Sequence, residues 1–141
     1  MKIAVTAGAV LLASLLIAAC GVGGGGGGDE GAIEDLMEGF FQSFQDGDAE
    51  QLASVFSAEC GDMKEAADAA IEELRTVGES VQFDVIGVDI QNLEENAAEV
   101  LPEGFVIIDG EKGSLAGEEE EYAQVVKEGG EWKLADCTLF D

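Results

Sequence analysis

No histidine occurs anywhere in the 141 residues. That absence removes Ser–His triads, imidazole general bases and the nitrogen ligands of most zinc and iron sites. Carboxylates, one tyrosine and a few lysines are what remains for acid–base work. Basic residues are scarce too: six Lys and Arg face 31 Asp and Glu, a net charge of −25. A surface of that sign repels phosphate backbones, which argues against a nucleic-acid partner. Solubility or adaptation to a salty environment is the plain reading of the charge, with recruitment of a cationic partner or of metal ions as the alternative. Proline is present once, at Pro102, and there is no internal repeat. Long apolar runs are also missing, with one exception at Ile3–Ile17, which is shorter than the roughly 20 residues that span a bilayer.

That run follows Lys2 and ends Leu15-Leu16-Ile17-Ala18-Ala19-Cys20. It resembles the lipobox of a bacterial lipoprotein signal peptide: an aliphatic residue, two small residues, then cysteine. The resemblance implies that residues 1–19 are an export signal. It also implies that Cys20 is acylated and that the mature protein sits on the extracytoplasmic face of a cell membrane. Each buried CH₂ of an acyl chain contributes about 0.8 kcal/mol, and two chains anchor stably. Gly21-Val22 and Gly23–Gly28 come next. A phosphate-cradling loop needs a strand before it, a helix after it and usually a lysine; here the strand and the lysine are missing. Residues 20–29 read instead as the lipidated cysteine plus a flexible tether with a reach of about 15–20 Å.

Residues 30–141 are enough for one domain with its own core. Ile33, Leu36, Met37, Phe40, Phe41 and Phe44 form one stripe at the helical period, predicting a helix from Asp29 to Asp46 that stops at Gly47. Asp48 caps a second, short helix with Leu52, Val55 and Phe56 inside. Asp62 caps a third, whose stripe runs from Met63 to Val77 before Gly78. From Ser80 the period becomes two. Val81, Phe83 and Val85 alternate, then Ile86, Val88 and Ile90 continue out of phase, which predicts a bulge or bend at Val85–Gly87. A second strand covers Ala97 to Ile108, with a bulge or an edge at Pro102 and Gly104. A third covers Ser114 to Lys127. A hairpin at Glu128-Gly129-Gly130 leads to the fourth, Glu131 to Phe140. The expected class is α+β: three helices packed on a curved antiparallel sheet of about four strands.

In that order, three stretches stand out: Phe40-Phe41-Gln42-Ser43-Phe44 with Gly47-Asp48, the segment Leu52 to Cys60, and the hairpin Val125 to Leu134 with its Gly-x-Trp-Lys-Leu run. Together they resemble a nuclear transport factor 2-like domain, the cone-shaped fold shared by SnoaL-like proteins and ketosteroid isomerase. The resemblance covers roughly residues 30–140 and implies a fold and a pocket. Ketosteroid isomerase keeps a phenol donor on its first helix and paired carboxylic acids; the first helix here carries Phe40, Phe41 and Phe44 instead.

With Cys20 acylated, Cys60 and Cys137 remain as one pair in an exported protein, where oxidation is permitted. In the fold implied by the resemblance they can meet as a disulfide; two free buried thiols are the alternative. Asp46-Gly47-Asp48 with Glu50 imitates a calcium loop, but the pattern then wants Gly at Gln51 and Glu at Ser57, so a turn and helix cap fits better. Glu118–Glu121 is a solvated, edge-protecting run. No metal site and no cofactor are expected. Phe44, Phe83, Tyr122 and Trp132 are candidates for the lining of an apolar cavity, or for plain core. Asp84, or Asp89, could point into the cone with a raised pKa.

Three functions follow as expectations. The first is a non-catalytic, membrane-tethered domain binding a small apolar ligand or an envelope partner, with homodimerisation through the sheet. The second is a SnoaL-like enzyme using a buried carboxylate such as Asp84 with Tyr122. The third is a structural envelope subunit. An enclosed pocket holding an Asp or Tyr favours the enzyme, a dry apolar pocket favours binding, and a filled cone favours the structural role. Whatever the function, self-repulsion of the acidic surface is screened within a Debye length. The melting temperature is therefore expected to rise from low to molar NaCl; a flat or falling curve contradicts this.

Overall fold

The computed structural model describes residues 28–117 and 119–140. The expected export signal, Cys20, the glycine run before Gly28, Glu118 and Asp141 lie outside the described residues. Among the described residues, no helix is long and apolar enough to cross a membrane. Helix α1 spans Asp29–Asp46, α2 spans Ala49–Ser54, a 3₁₀ turn covers Ala58–Cys60, and α3 spans Lys64–Val77. Five antiparallel strands complete the chain: β1 Val81–Gln91, β2 Ala97–Ile108, β3 Glu111–Ser114, β4 Ala123–Glu128 and β5 Glu131–Leu134.

The helix termini follow from local chemistry. Gly47 closes α1 in the left-handed conformation, and the Asp48 N–H donates back to Ser43 O at 2.9 Å, the pattern of a Schellman cap. The Asp48 carboxylate then accepts the Gln51 N–H at 2.9 Å and starts α2. Asp62 acts one residue earlier than the sequence suggests: Met63 is the cap position of α3, and Asp62 accepts the Lys64 N–H at 3.0 Å. Gly78 is extended rather than left-handed. A Cβ there would stand 2.6 Å from the Ile108 side chain, so close approach of the β2–β3 hairpin, not turn geometry, demands a glycine.

The core lies between α1 and the concave side of the sheet. Ile33, Leu52, Val100, Val125 and Leu134 are fully buried, with Phe83, Val85, Val88 and Ile90 of β1 packed against them. The start of α1 is fastened across the fold. Asp29 accepts from Lys127 Nζ at 2.6 Å and from Trp132 Nε1 at 3.1 Å. These two donors hold its carboxyl below the usual carboxylate range. A second fastening joins Ser57, itself buried, to Glu128, which also accepts the Ala58 N–H at 3.2 Å.

β2 is the spine of the sheet. One of its edges pairs with β1 along the full length, from Val81↔Ile108 to Gln91↔Glu99. Its other edge is shared, Ala97–Val100 with β4 and Phe105–Ile108 with β3. Between them, Leu101 to Gly104 has no strand partner on that side, and Pro102 sits there, lacking an N–H to offer. The expected third strand from Ser114 to Lys127 is instead divided between β3 and β4 with a loop between them, which brings the sheet of about four strands to five. Positive φ at Gly117 and Glu120 turns the backbone out of line. Continuing the β2–β4 register would also have laid Glu120 directly opposite Glu103, adding like charge to like.

The register of β1 slips between Val85 and Gly87, leaving Ile86 as the extra residue, 68% exposed. Such a bulge bends a strand and increases its twist. Gly104 lies opposite with φ 147°, and a Cβ there would fall 2.0 Å from the Asp84 carbonyl oxygen. Gly104→Ala is expected to cost about 2–3 kcal/mol, seen as a lower urea midpoint. Gly39→Ala, in the interior of α1 with open space around it, should gain about 0.5–1 kcal/mol. Equal effects from the two would refute the steric account.

Candidate functional site

The unpaired stretch of β2 opens onto an apolar cleft of about 550 Å³. Met37, Phe40, Phe41 and Phe44 of α1 form one wall. Ala70, Leu74 and Val77 of α3 form a second. Phe83, Leu101, Pro102, Ala123 and Leu134 come from the sheet, and Leu115 and Ala116 from the loop that follows β3. That loop is held against the gap by the Leu115 N–H, which donates to Gly104 O at 3.1 Å. Among the described residues, Glu73 and Glu121 are the only charged groups in the lining, and both are exposed.

The last wall comes from the C-terminal segment. Leu139 and Phe140 line the cleft. The Phe140 ring stacks on Phe40 (centroids 6.4 Å apart, planes 6° apart) and meets Phe44 and Phe56 edge-on at 5.8 and 5.2 Å. Cys137 is joined to Cys60, with sulfurs 2.04 Å and Cα atoms 5.2 Å apart. The disulfide spans 77 residues of sequence, and the chain-entropy account gives a loop of that length about 4–5 kcal/mol. It fixes residues 135–140, which belong to no strand, where Phe140 can insert.

The residues singled out from sequence divide between this cleft and the rest of the surface. Phe44 and Phe83 line it; Asp84, Tyr122 and Trp132 do not. Asp84 lies between half-buried Phe83 and Val85 and is exposed, since successive strand side chains face opposite sides. Trp132 is buried, but its ring packs beside Lys127, with Nζ 5.7 Å from the centroid, and its N–H goes to Asp29. Tyr122 precedes Ala123 and Val125, both buried, so the same alternation turns its phenol away from the core. Leu101, Pro102, Leu115, Leu139 and Phe140 were not identified from sequence as lining residues; the unpaired β2 edge implied by Pro102 is the one local signal.

On that outer side Tyr122 donates a hydrogen bond to Asp89 and accepts one from Gln91 Nε2 at 2.6 Å. The row continues through Glu99, which accepts from Asn92 and from Gln124 Nε2 at 2.9 Å. The hydrogen bond to Asp89, followed by desolvation and the nearby carboxylates, pushes the Tyr122 phenol up to about 12. A phenol held in its neutral form is no base. Among the described residues, no group of three or more Asp, Glu or Cys is placed to hold a metal ion.

Comparison with protein-family models and with curated proteins gives no match. Solved structures do match. A domain of unknown function with a cystatin-like fold from Nostoc punctiforme is 21% identical with a TM-score of 0.54, covering 75% of this chain and 72% of that one. A second Nostoc punctiforme protein of unknown function with a cystatin-like fold is 18% identical, with a TM-score of 0.52 over 71% and 80% of the two chains. A candidate scytalone dehydratase from Novosphingobium aromaticivorans is 21% identical, with a TM-score of 0.50 over 73% and 76%. The chain thus has the cystatin-like, nuclear transport factor 2-like fold: three helices against a curled antiparallel sheet.

Because the chain has a single tyrosine, the Asp89–Tyr122 contact can be read directly. The raised folded-state pKa means that its contribution to stability is complete below the ordinary phenol value of 10.0 and is lost as pH rises towards about 12. Phenolate absorbance of the folded protein should titrate near 12 and return towards 10 in Asp89→Asn. A wild-type midpoint at 10 would remove the contact.

Proposed function

We propose that this chain is a lipid-anchored extracytoplasmic binding protein whose cleft holds a small, largely apolar ligand without transforming it. The observation that carries this reading is the lining: among the described residues, every lining side chain apart from Glu73 and Glu121 is apolar, and neither Asp nor Tyr is among them. The volume falls within the roughly 300–1,000 Å³ usual for small-molecule sites. A cone filled by its own side chains would have favoured a structural subunit, and the cleft speaks against that. Homodimerisation belongs to the same reading, through the outer side of the sheet where Phe105 is exposed. Acylated Cys20 is the proposed membrane attachment, on the strength of the lipobox.

The enzymatic alternative draws on one observation, the fold likeness to a candidate scytalone dehydratase. Against it, Tyr122 is hydrogen-bonded to Asp89 rather than paired with Asp84, and Asp84 is exposed.

Titration with N-phenyl-1-naphthylamine, a neutral apolar fluorophore, tests the binding reading. Saturable one-to-one enhancement is expected, reduced at least tenfold by Leu74→Trp, which fills the cleft, with far-UV circular dichroism unchanged. No saturable binding by the wild type would end the proposal. For the anchor, Cys20→Ser should shift the protein out of the membrane fraction or leave it unprocessed. Normal lipid labelling of that variant would refute the attachment.

A further inference from the structure

We infer that the cleft sorts ligands by charge, taking an apolar body that carries a cationic amine and rejecting carboxylates. This deepens the binding reading above and rests on it. Glu73 comes from α3 and Glu121 from the end of the loop before β4, so the two carboxylates reach the same cleft from separate elements. Both are exposed while the aromatic walls are half-buried or buried, which sets negative charge at the rim and apolar surface behind it.

No basic side chain among the described residues lines the cleft to offset them. Among the described residues the ion pairs are Lys127–Asp29 and Lys133–Glu131, so neither rim carboxylate is in one. Arg75 is close to Glu73 in sequence but lies over Gly47, its guanidinium 2.4 Å from where a Cβ on that glycine would stand. It lines a neighbouring hollow with Glu79 instead. An ammonium group entering the cleft therefore meets two carboxylates outside any ion pair and then an aromatic lining that includes Phe44 and Phe140, and aromatic rings attract cations. A carboxylate entering by the same route is repelled at the rim and, among the described residues, finds no hydrogen-bond donor side chain inside. The net charge of −25 adds a long-range pull on cations that salt weakens.

Three probes of one shape separate these effects: 1-naphthylmethylamine, 1-naphthylmethanol and 1-naphthoate, measured by calorimetry on the intact chain at pH 7 and low salt. The alcohol should bind, the amine about tenfold tighter and the carboxylate about tenfold weaker. In Glu73→Gln/Glu121→Gln, the amine should come within about twofold of the alcohol. Two results overturn the inference while leaving the binding reading intact: an amine no tighter than the alcohol, or a preference that survives in the double variant. If none of the three probes binds, the alcohol included, the binding reading itself fails.

Discussion

Phe40 stands where separate stretches of the chain converge. Its ring meets Phe41 and Phe44 of the same helix edge-on, with centroids 5.1 and 5.2 Å away, and reaches Phe56 and Phe140 at 6.3 and 6.4 Å. Aromatic pairs in such offset or edge-to-face arrangements gain about 0.5–1.5 kcal/mol beyond the area they bury. The geometry matters as much as the energy. It joins α1, the turn after α2 and a C-terminal segment that has no ladder of its own, so the position of the last wall of the cleft depends on this cluster. The Cys60–Cys137 bond acts on the same two segments from the other side, with Cys60 four residues after Phe56 and Cys137 three before Phe140.

The cleft itself is a consequence of how β2 is used. A strand long enough to pair with β1 throughout is met on its other edge by two short strands that do not touch end to end. Pro102 marks the place where continued pairing would lack a donor, and the loop carrying Leu115, Ala116 and Glu121 covers it without filling it. The opening thus needs no special architecture beyond one proline and one acidic loop. The sheet curves there because β1 carries an extra residue and Gly104 lets the two backbones come together around it.

Much of this was legible in the sequence because it is local. The stripe from Ile33 to Phe44 specified α1 end to end, since a helix of that length has only one apolar face to bury. The phase slip after Val85 specified the bulge, since a period of two leaves no other way to keep Val88 and Ile90 inside. What failed to show was set by contacts distant in sequence. Residues 115–122 alternate loosely enough to pass for strand until charge and positive φ are counted. Gly78 passes for a helix terminator because the hairpin that crowds it lies 30 residues on. Asp84 and Tyr122 were credited with a pocket, although the alternation around each already turns it outward. Leu139 and Phe140 carry no local sign of their place at all. The stretch that resembles a lipobox stands apart, since the export and acylation proposed from it do not depend on how the domain folds.

Asp29 leads to a different kind of consequence. It is the first residue of α1, and its carboxylate is gripped by Lys127 and Trp132 from the two arms of the β4–β5 hairpin. Any tension transmitted through the residues before Gly28 arrives at this grip before it reaches the helix. The hairpin lies at the far end of the sequence, so a tug at the N-terminal side is shared at once with the strands that close the sheet. The domain would then resist peeling from its first turn, and mechanical load would be borne by an ion pair and an indole hydrogen bond in parallel with the helix backbone.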